Sequence, residues 1–172
     1  VLPLIGNNDK FIDKLPLNIL FAGFIIKALP NCKIICLDRN PLDTIVCNYR
    51  QMFSTNYSAY NYSNCLQSTT LFYLQFKKLV SLWKTLFPEN FHVVNYEKLV
   101  NNPEIETANI IDFCGLKWQS QCSHIQKNTT AVATASAVQV REPINNNSIG
   151  NWKKYEHHLD DIKLILKDAK AI

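Results

Sequence analysis

The sequence predicts an α/β domain, a parallel sheet flanked by helices, and three observations carry that expectation. Two short runs rich in strand-forming residues, Lys33–Leu37 and Phe91–Tyr96, stand among longer stretches with helical spacing. The order strand, helix, helix, strand, helix is that of crossover connections, which join parallel strands. The run Lys33-Ile34-Ile35-Cys36-Leu37 is nearly continuous in apolar residues, as expected of a strand buried on both faces. At 172 residues the chain is about one domain in length, so residues 1–172 are read as a single unit.

Taken in order, Pro16 opens and Pro30 stops a helix over Leu17–Leu29. The first strand follows, then a turn at Arg39-Asn40-Pro41-Leu42. Asp43 sits near the start of the next helix, where its charge suits the N-terminal dipole, and that helix runs to about Phe53. Residues 54–64 are rich in Ser, Asn and Tyr and read as a loop or an irregular helix start. From Leu66 to Phe87, Leu71, Leu74, Phe76, Leu79, Val80, Trp83 and Leu86 recur at helical spacing, and Pro88 ends the helix. The second strand ends at Tyr96. A further helix spans about Pro103 to Cys114, with Gly115 at the position that ends it. Residues 120–151 are polar surface segments, and a terminal helix covers about Glu156 to Lys170.

Composition narrows the function classes. With 47% hydrophobic and 19% charged residues the chain is globular rather than disordered. A net charge of +4 suits a small anionic ligand, and no Lys/Arg run tracks a nucleic-acid backbone. The six cysteines form no CxxC pair, and no His stands at zinc-ligand spacing from two of them. Cys36 and Cys114 lie in apolar surroundings, which points to free thiols in a reducing, cytoplasmic setting and to no metal centre. The longest apolar stretch, Ile19–Leu29, is interrupted by Lys27 and falls short of the ~20 residues a bilayer needs. Val1 is not an initiator Met, and the opening reads as a cut within a longer protein.

In parallel sheets ligands bind beyond the carboxyl ends of the strands, here Asp38-Arg39 and Tyr96-Glu97. Arg39 leaves an inner strand and meets a helix start. A guanidinium there offers a rigid fork of donors to a phosphate, and the helix adds backbone N–H groups. The plainer alternative is that Arg39 pairs with Asp38 or Asp43 at the turn.

Arg39-x-Pro41-x-Asp43 after an apolar strand resembles the 3′-phosphate motif of the sulfotransferase family. Five further segments are similar to that family in the same order: Asp13-Lys14-x-Pro16, Val94-Asn95-Tyr96-Glu97-Lys98-Leu99-Val100, Phe113–Trp118, Thr134–Ile144 and Ser148-x-Gly150-x-Trp152-x-x-Tyr155. The Asp-Lys-x-Pro segment looks like that of the tyrosylprotein and bacterial tetratricopeptide-linked members. The resemblance covers about residues 9–160. It implies a P-loop NTPase-like fold, N-terminally truncated here, and transfer of a sulfuryl group from 3′-phosphoadenosine 5′-phosphosulfate to a hydroxyl or phenol of a peptide, carbohydrate or small molecule. By the same resemblance Lys14 is the catalytic cation at the leaving oxygen. Arg39 grips the 3′-phosphate, Tyr96 lies against adenine, and Arg141 and Ser148 belong to the segment that folds over the nucleotide. A tetratricopeptide region is the implied neighbour in the whole protein.

Three departures bear on this. The residue eight positions after Arg39 is Cys47, where the family usually has Ser; a thiol is a weak donor, so phosphate affinity falls by roughly 1 kcal/mol. Asn145-Asn146-Asn147 stands where members often place a basic residue. The family's loop for the 5′-phosphosulfate lies before Asp-Lys-x-Pro, where these 172 residues offer only Val1–Asp9, and Gly6 alone does not make such a cradle. The general base expected after that loop is likewise not identified. Two rivals therefore stand: a catalytically inactive remnant that holds a nucleotide or a protein partner, and another phosphate-handling enzyme sharing the strand–Arg–turn–helix.

Overall fold

A computed structural model describes residues 10–51, 53, 58–123 and 142–172. A 3₁₀ turn, Pro16–Phe21, leads into helix α1, Ala22–Ala28. Strand β1, Ile34–Asp38, is followed by helix α2, Pro41–Arg50, and a 3₁₀ segment, Ser58–Asn64. The long helix α3, Leu66–Leu86, returns the chain to strand β2, Phe91–Asn95, and then come α4, Tyr96–Asn101, and α5, Pro103–Phe113. The 3₁₀ segments Ser120–Ser123 and Asn151–His158 and helix α6, Asp160–Asp168, complete the described elements.

The strands pair in parallel, with Ile34 opposite Phe91 through to Asp38 opposite Asn95. The mixed α/β layout with a parallel sheet is thus as expected. The two-sided burial of β1 is not: Ile35 is 43% and Leu37 50% exposed, while Cys36 is buried. Among the described residues only the Ile34/Cys36 face is covered, by Val80 of α3 and by Ile19 and Ala22 from the first helical segment. An unbroken apolar run gives no periodicity from which one-sided burial could have been read.

Helix α2 ends at Arg50, short of the expected Phe53, with Gln51 already extended. Three further element boundaries differ from the sequence reading. The first helix begins as a 3₁₀ turn. Trp83 Nε1 donates to the Ile19 carbonyl at 2.8 Å, so a side chain from α3 claims a backbone acceptor in that turn. The terminal helix is broken at Leu159, whose φ of −112° and ψ of 9° leave the helical region. That break seats Leu159, 1% exposed, beside Ile162 and Leu166. Tyr96 opens α4 instead of ending β2, because the Asn95 side chain caps the helix by accepting from Lys98 N at 2.8 Å.

Helix α3 buries Thr69, Thr70, Tyr73 and Val80, whereas Leu71 and Leu86 of the expected apolar stripe are exposed. Two threonines can face the interior because their hydroxyls return to the backbone one turn earlier. Thr70 Oγ1 donates to Leu66 O and Thr69 Oγ1 to Cys65 O, both at 2.7 Å. No described helix is long and apolar enough to cross a membrane.

Candidate functional site

The ends of both strands open onto a cleft of about 1160 Å³. Its floor begins at Asp38, the last residue of β1, and Arg39, the residue after it. The chain turns at once into α2. Asn40 caps that helix by accepting from Asp43 N at 3.1 Å, and Pro41 occupies the first turn, where a missing N–H costs nothing. Across the sheet, Glu97 Oε1 accepts from Asn40 N at 2.8 Å and ties the second strand's end to this turn.

Arg39 is held from several sides. Its Nη2 donates to the Ser148 carbonyl and lies 3.9 Å from Asp43 Oδ2. Its guanidinium carbon lies 4.8 Å from the Tyr96 ring centroid, a cation–π distance. Its Nε is buried and has no hydrogen-bond partner among the described residues. An unsatisfied buried donor is costly, and an incoming anion would relieve it.

The acids beside Arg39 have partners of their own, although Asp43 also lies within ion-pair range of Arg39, the pairing expected of the turn alone, and Asp38 Oδ1 is buried with no hydrogen-bond partner among the described residues. Asp43, 2% exposed, accepts from Gly150 N at 2.7 Å and from Trp152 N at 2.9 Å. Gly150 meets this geometry at a φ of 72°, which suits glycine. Asp38 is paired with Lys77, Nζ to Oδ2 2.6 Å, and Glu97 is taken by the turn. Lys78, Lys153 and Lys170 also line the cleft, which leaves it with a surplus of positive charge. Tyr73 reaches the same cleft; burial, aided by the nearby Asp38 and Glu97 charges, pushes its phenol well above the ordinary range, so it remains a neutral donor.

Of the residues singled out in the sequence, Arg39, Tyr96 and Ser148 come together here. Ser148 contributes its carbonyl and Tyr96 its ring face to Arg39, and neither residue itself lines the cleft. Cys47 is exposed on α2 and does not line the cleft. Lys14 is exposed ahead of the 3₁₀ turn and is also outside the lining. Arg141 lies outside the described residues. Glu97, which the strand-end rule points to together with Tyr96, lines the cleft. The sequence reading does not reach Lys77 or the second function of Asp43; Lys77 is one of several lysines on a polar helix face and carries no signal.

Comparison with known proteins gives two results. A sequence model described as "Sulfotransferase family" matches residues 2–120. An uncharacterized protein of Aquifex aeolicus (strain VF5) is 31% identical over 169 residues, which cover 98% of this chain and 22% of that protein. The chain therefore spans about a fifth of the length of that relative.

Proposed function

We propose, from the premise that this chain belongs to the sulfotransferase family, that it forms the nucleotide-holding part of an enzyme sulfating a hydroxyl or phenol. The family generally takes its sulfate from 3′-phosphoadenosine 5′-phosphosulfate. The observation that carries the reading to this chain is Arg39: a strand-end guanidinium whose buried Nε has no partner among the described residues, lining a cleft in which basic side chains outnumber acidic ones. That donor set suits a phosphate monoester.

In this reading Arg39 binds the 3′-phosphate, and Tyr96, next to it, contacts adenine. Ser148 and Arg141 belong to the segment over the nucleotide, and Cys47 stands in for a hydroxyl donor. The acceptor oxygen attacks sulfur as the bond to the bridging phosphate oxygen breaks. That oxygen keeps the electron pair, and adenosine 3′,5′-bisphosphate leaves. Lys14 is the cation we assign to the developing negative charge. The acceptor hydroxyl gives up its proton to a base as the new S–O bond forms. We further propose a P-loop NTPase-like sheet, a single domain, and a tetratricopeptide region elsewhere in the whole protein. A cytoplasmic location agrees with six free cysteines.

A second reading, nucleotide binding without transfer, is favoured by the position of Lys14 outside the cleft lining. Calorimetry on the intact protein separates the possibilities. Adenosine 3′,5′-bisphosphate should bind well above adenosine 5′-monophosphate. Arg39→Ala should remove about 10–100-fold of that difference, the worth of a charge-assisted hydrogen bond. Equal affinities in the wild type would remove the 3′-phosphate assignment. If Lys14→Ala lowers turnover with binding unchanged, transfer is supported; no turnover in the wild type with any of the three acceptor classes favours the binding-only reading.

A further inference from the structure

We infer that Asp43 is a positioning residue: its buried carboxylate fastens the strap 148–152 to the first turn of α2 and thereby holds Arg39 in the lining of the cleft. The inference rests on the 3′-phosphate reading above and adds to it a residue that touches neither phosphate nor sulfur.

A carboxylate as enclosed as that of Asp43 is tolerated only when its oxygens are satisfied. Both are: Oδ2 by Gly150 N at 2.7 Å and Oδ1 by Trp152 N at 2.9 Å. These bonds join positions 107 and 109 residues apart, so they decide where the strap lies rather than how α2 coils. Helix α2 has its own cap in Asn40 and does not need Asp43 for that purpose. The strap in turn delivers the Ser148 carbonyl to Arg39 Nη2.

The distance from Arg39 to Asp43, 3.9 Å, is too long for a hydrogen bond. Asp43 therefore steadies the guanidinium by charge and, through the strap, by geometry, while leaving its Nε uncommitted. An acid placed beside a phosphate site would ordinarily repel the ligand. Two backbone N–H groups and the guanidinium offset this one. Without it, Gly150 and Trp152 lose their acceptor, the strap lifts, and Arg39 loses the partner that fixes its fork.

The experiment is Asp43→Asn in the intact protein, with calorimetric binding of adenosine 3′,5′-bisphosphate and adenosine 5′-monophosphate to wild type and variant. Asparagine keeps the shape but has one acceptor oxygen, so one amide is left unpaired. The expected result is a roughly tenfold fall in bisphosphate affinity with monophosphate affinity within about twofold of wild type. A merely structural role would lower thermal stability and leave the ratio of the two affinities intact. If the wild type prefers the bisphosphate and the variant keeps the preference, the positioning role is overturned and the 3′-phosphate reading survives. If the wild type shows no preference, both fall together. Should the variant not fold, amide exchange in the wild type decides. The Gly150 and Trp152 amides must be protected, and further protected by the bisphosphate but not the monophosphate; unprotected amides overturn the clamp.

Discussion

Among the described residues two hydrophobic clusters hold this fold, and they differ in what surrounds them. One gathers Leu42, Ile45 and Val46 of α2, Tyr73 of α3, and Leu159, Ile162 and Leu166 around α6, each at or below 6% exposure. The other joins Ile19, Ala22, Cys36, Val80 and Phe91, yet its outer side shows Phe21 at 56% and Phe24 at 78% exposure. The first cluster underlies the Arg39 turn and the strap. The second underlies the segment that carries Lys14. A site residue over closed packing inherits a fixed position: Arg39 has a carbonyl, a ring and a carboxylate around it. For the Lys14 side chain no hydrogen bond is found among the described residues. Two cations assigned to one reaction thus differ in how far the surrounding structure determines them.

The sharpest way to test this comparison is to truncate a side chain inside the first cluster and one on the outer face of α1, beside the second. Leu166→Ala, at 0% exposure, should cost about 2–5 kcal/mol in urea denaturation, because the lost methyl groups leave a cavity. Phe24→Ala, at 78% exposure, should stay within about 0.5 kcal/mol. A Phe24 loss comparable to that of Leu166 would mean that the outer face of α1 is covered and the contrast is false.

A smaller effect is expected where the second cluster is tight. A Cβ at Gly23 would come within 2.8 and 2.9 Å of the Trp83 ring, and that ring is tethered by its bond to the Ile19 carbonyl. Gly23→Ala gains about 1 kcal/mol of helix propensity against about 1–3 kcal/mol of overpacking, so a net loss near 1 kcal/mol is expected in thermal melts. A rise in melting temperature would show that Trp83 can move aside and that this cluster is looser than its contacts suggest.

Much of this was legible from the chain. The two strands and α3 follow from local composition and from Pro88. The Arg39 turn follows from Asn40 and Pro41, whose cap and fixed φ act within one turn. What escaped was set at long range. The break at Leu159 exists because that side chain fills the first cluster, and nothing in the spacing of residues 156–170 marks it. The exposed face of β1 depends on what packs beside it. Asp43 read as a helix-dipole residue, because its neighbours in sequence explain it that way; its partners at 150 and 152 are visible only when the chain has folded. The resemblance of residues 148–155 to a family element, beyond the stretch 2–120 that the family model matches, says nothing of what holds them.

The smallest expected effect reads the second cluster from within. Cys36 is 9% exposed, and burial, then the nearby Asp38 charge, pushes its thiol from 9.0 to about 11. Cys65 is exposed at the start of α3, and hydrogen bonds from the Ser68 hydroxyl and backbone N–H hold its thiol below the ordinary range. Iodoacetamide near pH 8 should therefore modify Cys65 well before Cys36, as mass spectrometry can follow. The unfolded chain ionises Cys36 near 9.0 while the fold keeps it neutral, so stability from this group is intact below that pH and falls as pH climbs toward about 11. Because the described residues cover β1 on one face only, Cys36 alkylation should run faster than global unfolding allows, through local opening of the second cluster. A Cys36 rate equal to that for whole-protein unfolding would mean that the two clusters open as one unit, and the difference drawn between them would then lie in exposure alone.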